Sequence, residues 1–386
     1  MKLRTLPALK TLRGERVVLR LDLNVPMKGS VIVDDFKIVS ALPILRHLES
    51  LPVIIISHLG EPDTNGKSYF FDKHFSLSPV VKRLQKYCSG RVFLASGSWA
   101  NMQKQADNLK TGEIMVIENV RFWSGEITNN LRFAKQLASL GTIYVNDAFA
   151  VCHRKHASVA GITKYLPSYA GPLLEKEIFN LVKVSNRRSV VLVFGGAKVS
   201  DKLPLIQKFL PRAKAILTGG GIANAFLKVR GVEIGQSYYE VASLSAARKL
   251  YSANIIVPSD VIVQSGKKTR IADINSVTKK EVIYDVGPET IKRYSEYLRT
   301  AKTIIWNGPV GLFEKFEFRK GTNTIAKSIA QATKNGAFSV VGGGETIEAI
   351  RIMKLSQAVS WMSTGGGATL YFLSGQTLPG LQGLKK

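Results

Sequence analysis

Residues 188–204, RSVVLVFGGAKVSDKLP, constrain the fold of this chain more than any other stretch. Ser189 to Phe194 are almost all apolar and rich in valine, the pattern of a strand buried on both faces of a parallel sheet. Gly195 and Gly196 end that strand, and the next residues read as the first turn of a helix carrying Lys198 and Lys202, with Ser200 and Asp201 between them. Backbone amides and two cations then converge past a strand end, where open α/β sheets take anionic ligands. No glycine directly precedes Lys198 and no Ser or Thr directly follows it, so this is not a Walker A loop. In isolation the same residues could equally be a tight turn with two solvated lysines.

The pattern recurs. AILTGGG at 215–221, FSVVGGGET at 338–346 and WMSTGGGAT at 361–369 are also short apolar runs that end in glycine clusters. Parallel strands deliver such loops to one edge of a sheet, so the repetition predicts a shared, glycine-lined crevice.

The first half has a different polar inventory. Apolar runs at 16–25, 52–60, 92–95, 114–122 and 142–149 alternate with helical segments such as 78–87 and 131–140, which predicts a parallel sheet flanked by helices. Where these strands run out stand Asp22, Asn24, His58, Asn119, Arg121, Asn146 and Asp147. Asp22 and Asn24 lie two apart and share a face. Caps and turns account for Asn146 and Asp147 but leave Arg121 and Arg154 without a role. His153 and His156 in HRKH could pair on a metal only from a helix face, and no carboxylate or cysteine joins them in that segment, which favours an anion-binding or structural role.

A chain of 386 residues predicts two domains. Gly171 and Pro172 precede a segment in which Leu174, Ile178, Leu181 and Val182 form one helical stripe, so the connector reads as a packed helix. The expected division is a first domain at 1–171 with the tail 375–386, a connecting helix and hinge at 172–188, and a second domain at 189–374. Cys88 and Cys152 give no disulfide framework and no metal-ligand spacing. With no signal-peptide core and no apolar run of membrane-spanning length, the expected location is the cytoplasm. The net charge of +26 favours anionic partners and nonspecific adhesion to nucleic acid at low salt. The cations are nevertheless spread along the chain, without the stripe and interleaved aromatics of a nucleic-acid groove.

Taken in order, LRLDLNVP, SHLGEPD, ENVRF, VNDAFAVCHRKH, FGGAKVSDK, TGGG, WNGPVGLFE, VGGGET and STGGGA resemble the phosphoglycerate kinase family across essentially the whole chain. The resemblance implies two Rossmann-like three-layer α/β domains with parallel sheets, joined by a helix across a deep cleft, with the C-terminal tail returning to the first domain. It implies a monomeric phosphotransferase with a carboxyl acceptor, moving a phosphoryl group between 1,3-bisphosphoglycerate and ADP, or between ATP and 3-phosphoglycerate, with Mg²⁺.

In that assignment Asp22, Asn24, Lys37, His58, Arg121 and Arg154 hold the acid. Gly195, Ala197, Lys198, Lys202, Gly219, Gly220, Asn307, Pro309, Glu314, Gly343, Gly344, Glu345 and Thr346 hold the nucleotide. Lys37, Lys198, Gly343 and Gly344 act on the transferring group, and Glu345, where the family usually has aspartate, orients Mg²⁺ directly or through water. Arginines suit bidentate grip on a carboxylate or phosphate, and glycine turns with lysines suit a triphosphate.

Three positions depart from the family. Lys37 stands where it has an arginine, keeping the charge and losing the fork. Glu61 replaces the arginine of HLGRP, and the loss of one charged hydrogen bond of about 1.5–3 kcal/mol implies roughly ten- to a hundredfold weaker acid binding unless Lys67 or Lys73 compensates. Ala150 replaces a glycine. Two other readings therefore stay open at this point: a nucleotide-binding relative with another acid substrate or residual kinase activity, and a basic protein that binds nucleic acid.

Overall fold

The computed structural model describes residues 2–64 and 66–386. The chain divides into two compact units, Met1–Ile178 with Thr377–Lys386, and Phe179–Gln376. Among the described residues no helix is long and apolar enough to cross a membrane.

The first unit is organised by β1 (Val17–Arg20), β2 (Val53–Ile56), β3 (Val92–Leu94), β4 (Ile114–Val116), β5 (Ile143–Asn146) and β6 (Ser168–Ala170). They lie in the order β3-β4-β2-β1-β5-β6, and every neighbouring pair is parallel. Side chains alternate across a pleated strand, so Val17, Leu19, Val53 and Ile55 join one buried layer while Val18, Ile54 and Ile56 join the other. This is why the strands read as continuous apolar runs. The chain moves one way across the sheet from β1 to β2 and the other way from β5 to β6. The ends of β1 and β5 therefore form a topological switch point, which Leu21–Asn24 and Asp147 flank.

Helix α1 (Phe36–His47) follows a short hairpin, Met27–Lys28 with Val31–Ile32, and carries Lys37 in its first turn. The C-terminal segment belongs to this unit: Arg4 N donates to Leu384 O at 2.7 Å, and Gly380 N to Cys152 O at 2.9 Å. The segment seats so closely that a Cβ on Gly380 would lie 2.5 Å from Val159.

The second unit repeats the plan with β7 (Val190–Phe194), β8 (Ala213–Thr218), β9 (Ile255–Ile256), and later β13 (Thr303–Asn307), β14 (Phe338–Gly342) and β15 (Trp361–Ser363). Between β9 and β13 the chain forms β10 (Asp260–Ser265), β11 (Lys268–Asp273) and β12 (Val282–Val286). The main sheet runs β9-β8-β7-β13-β14-β15, all parallel, with its switch point at β7 and β13. Strands β10–β12 depart from the repeated α/β rhythm and make a separate antiparallel sheet, β11-β10-β12. The cause is local. Ser265 pairs with Lys268 across a two-residue turn whose first member, Gly266, has φ +59°, a hairpin geometry that reverses the strand at once.

Helix α2 (Pro172–Ser185) spans the predicted connector. Leu174, Ile178 and Leu181 are buried, but Val182 is exposed and Val184 takes its place in the interior.

Candidate functional site

In the first unit the polar residues at the β1 and β2 ends are held by one another. Asn24 Oδ1 accepts from Gly60 N at 2.8 Å, and Asp22 Oδ1 accepts from Asn24 N at 3.2 Å, which fixes the turn of each chain past its strand. Asp22 Oδ2 lies 2.6 Å from Lys37 Nζ, so the first turn of α1 is tied to the β1 end by an ion pair. Asn119 is a structural clamp: its Nδ2 donates to Leu59 O and Phe75 O, and its Oδ1 accepts from Arg121 N.

Arg121 is buried behind this turn. Its Nη1 donates to Gly60 O at 2.5 Å, while Nη2 has no hydrogen-bond partner among the described residues. Burial first, and then the neighbouring Arg154, pull its guanidinium down to about 10. Glu61 lies against both arginines: Oε1 accepts from Arg154 Nη1 and Nη2 at 3.1 Å each and is 3.4 Å from Arg121 Nη1. Of the two lysines considered as substitutes, Lys67 stands over the Phe70 ring and Lys73 lies in a short 3₁₀ turn at Lys73–Phe75.

His58 is buried and held well below its ordinary pKa, first by burial and then by Arg20, Arg121, Lys37 and Arg154. The structure thus gathers four cations around a neutral imidazole, an arrangement suited to an anion with several oxygens. His156 lies with Nδ1 3.6 Å from Glu126 Oε1, yet it is pushed down to about 3, chiefly by burial and then by Arg121, Arg20 and Arg154. The contact is therefore between a neutral ring and the carboxyl group. HRKH is not helical, and among the described residues no group of three His, Cys, Asp or Glu could hold a metal.

Asn146 and Asp147 serve the scaffold. Asn146 Oδ1 accepts from Ala148 N at 3.0 Å. Asp147 Oδ1 accepts from Leu174 N at 2.9 Å in the first turn of α2, where burial raises its carboxyl to about 6.

The second unit's crevice lies at the ends of β7 and β13, where two backbones touch. A Cβ on Gly195 would stand 1.8 Å from Pro309 O, and one on Gly308 would stand 2.2 Å from Gly195 O. Gly196 N donates to Pro309 O at 2.8 Å, and Gly221 N to Gly196 O at 3.0 Å. Gly219 and Gly220 start helix α4 (Gly220–Val229) against these loops, and a Cβ on Gly219 would reach Val310 at 2.6 Å. They permit close packing of the loops.

Lys198 and Lys202 are not inside a helix. Helix α3 (Leu203–Phe209) begins after them, with Lys202 as its N-cap, because Pro204 is suited to a first turn and Gly196, at φ +78°, keeps the preceding chain in a loop. Ala197 and Lys198 are left exposed. Lys202 is buried, and its Nζ donates to Gly195 O; burial pulls it down to about 8, partly opposed by Glu345 and Asp201. A Cβ at Gly196 would stand 3.3 Å from Lys202 Nζ and 3.7 Å from Glu345 Oε2, which places both side chains at this glycine.

Helix α5 (Gly344–Ile352) opens on Gly343 at φ +94° without a side-chain cap, so its first amides face outward. Thr346 does not use its hydroxyl as a cap. Its Oγ1 accepts from Gly308 N at 2.7 Å and ties α5 to the β13 loop. Asn307 stands on the same corner, its Nδ2 3.1 Å from where a Gly343 Cβ would be. Glu314 is exposed further along the loop after Phe313. As a metal ligand Glu345 is a single carboxylate beside an amide-lined helix end. That donor set fits Mg²⁺ arriving with a phosphate chain, which keeps waters and takes one or two protein carboxylates.

Two supporting residues escape sequence reasoning. Arg20, hidden in VVLR, is fully buried and donates from Nε to Ser158 Oγ, which in turn donates to Glu126 Oε1 at 2.6 Å. Glu240, from a distant segment, accepts from Val199 N and Ser200 N and so holds the Lys198 loop. Neither has a local signature; each is defined by a partner far away in the chain.

Comparison with known proteins adds a second line. The family model described as phosphoglycerate kinase matches residues 8–376. A phosphoglycerate kinase of Dictyoglomus turgidum is 40% identical over 385 residues, covering 96% of this chain and 95% of that one. The solved phosphoglycerate kinase of Coxiella burnetii superposes with a TM-score of 0.80 at 39% identity, covering 97% of this chain and 96% of that one. That of Pyrococcus horikoshii gives 0.85 at 31% identity, covering 96% of each.

Proposed function

Because this chain belongs to the phosphoglycerate kinase family, we propose that it catalyses reversible phosphoryl transfer between 1,3-bisphosphoglycerate and ADP, giving 3-phosphoglycerate and ATP. The observation that carries this reading is a division of anion-binding chemistry. One unit buries an arginine whose Nη2 has no partner among the described residues and sets it among other cations, and the other offers glycine turns, Lys202 and an uncapped helix start.

Asp22, Asn24, Lys37, His58, Arg121 and Arg154 hold the acid in this proposal. The Gly195–Lys202 loop, Gly219, Gly220, Asn307, Pro309, Glu314 and the start of α5 hold the nucleotide. Mg²⁺ bound with the nucleotide supplies charge neutralisation, and Glu345 is its protein contact, directly or through water.

The reaction needs no covalent intermediate on the protein. Negative charge spreads over the equatorial oxygens of the transferring group, so the residues' tasks are positioning and charge stabilisation. Exposed Lys198 is free to follow the group, and the amides of Gly343, Gly344 and Glu345 meet its oxygens. Lys37 supplies a cation on the acid side, while neutral His58 donates from Nε2. Transfer requires the acid's carboxylate in line with the terminal phosphate, so the two units must bring their ligands together. We assign the working form as a monomer in the cytoplasm with small-molecule partners.

A coupled assay tests this reading. Purified protein should consume ATP when 3-phosphoglycerate is added, and Lys198→Ala should abolish the turnover. ATP turnover that ignores the acid would overturn it.

A further inference from the structure

Glu61 carries consequences that a simple lost contact does not. Its Oε1 stands on both Nη atoms of Arg154 at 3.1 Å and 3.4 Å from Arg121 Nη1, so one carboxylate oxygen already covers guanidinium surface on both arginines assigned to the acid. We propose that Glu61 is an internal competitor in the acid site, its carboxylate taking the place of an anionic ligand group, so that binding proceeds by displacement. The inference rests on the assignment of Arg121 and Arg154 to the acid.

Three observations support displacement over a permanent structural pair. Glu61 is 74% exposed, so it can swing into water without opening the core. The pair with Arg154 is solvent-screened, and exposed ion pairs hold weakly. Arg121 Nη2 is buried with no hydrogen-bond partner among the described residues, so Glu61 leaves unsatisfied a donor that a ligand with more oxygens would satisfy once Glu61 has swung away. A doubly charged tetrahedral anion therefore displaces Glu61 more readily than a single carboxylate does. The replacement of an arginine at this position then does two things: it deletes a donor and installs a rival for the donors that remain.

The test is calorimetric titration of inorganic sulfate and, separately, of 3-phosphoglycerate into the full-length protein and its Glu61→Gln variant. Arg154→Met in each background identifies the binding that depends on this site. Glutamine keeps the shape and removes the charge, and the exposed position spares the fold. Arg154-dependent affinity for both probes should rise about two- to fivefold in Glu61→Gln, as the loss of one exposed ion pair allows. In the coupled assay KM for 3-phosphoglycerate should fall by a larger factor than kcat changes. Sulfate and 3-phosphoglycerate affinities equal to or weaker than those of the unaltered protein would overturn the proposal. If sulfate tightens while neither protein binds 3-phosphoglycerate, the competitor role stands and the acid-site reading fails.

Discussion

Arg20 Nη2 approaches His58 Nδ1 to 3.4 Å inside the first unit, both side chains buried. A guanidinium can only donate, so Nδ1 is the acceptor and the ring proton sits on Nε2. With burial and then four cations holding its pKa well below the ordinary value, His58 should be a neutral Nε2–H donor at neutral pH. Nitrogen chemical shifts of the imidazole check this; a positively charged ring at neutral pH would refute it.

The same shift fixes a sign for stability. The unfolded chain takes up protons at His58 and His156 below about pH 6.5 while the folded chain resists, so acidification favours unfolding. For His156 the loss should grow from about pH 6.5 down to about 3, its folded value. Urea unfolding of His156→Gln against the unaltered chain should show the difference between them changing across that window and flattening above it.

Lys202 gives the second unit a pH dependence of opposite sense. Its ammonium is pulled down to about 8, so its charge is complete only below that value. Affinity for ADP should be level below about pH 8 and fall above it, by at most about tenfold per pH unit. Lys202→Met should weaken binding and remove that fall. A profile of unchanged steepness in the variant would assign the titration elsewhere.

Gly195 and Gly344 make a matched pair. A Cβ at Gly195 would overlap Pro309 O at 1.8 Å and Pro309 C at 2.4 Å, both backbone atoms, whereas one at Gly344 meets nothing within 4 Å. Gly195→Ala must therefore push the β7 and β13 loops apart and should lower stability by about 1–3 kcal/mol, as overpacking does. Gly344→Ala should leave stability nearly unchanged. Thermal melts of the two variants decide it, and equal melting points would contradict the close approach.

Thr346→Val tests how α5 is anchored. Valine fills the threonine volume but leaves the buried Gly308 N–H without its acceptor, at about 1–3 kcal/mol. Denaturant midpoints should drop accordingly. Thr346→Ser, which keeps the oxygen, should recover most of the loss.

The sequence by itself determined the two parallel sheets and singled out the residues proposed for the site. Strands such as VVLVF and VIII are buried on both faces and so need no tertiary context to declare themselves, and a glycine cluster after a strand is legible because only a tight turn requires it. Local signals could also mislead. Pro204 moved the helix start past Lys198 and Lys202, and the Gly266 turn made an antiparallel hairpin in a domain expected to hold a parallel sheet.

Only the tertiary structure decided what the polar residues do to one another. Glu61 and Arg154 are far apart in the chain and meet at the site, Arg20 charges the back of His58 from within an apolar strand, and Glu240 holds a loop forty residues before it. Apolar periodicity is a property of neighbours in sequence. A pKa, an ion pair or an occupied arginine depends on distance and burial between groups that folding brings together.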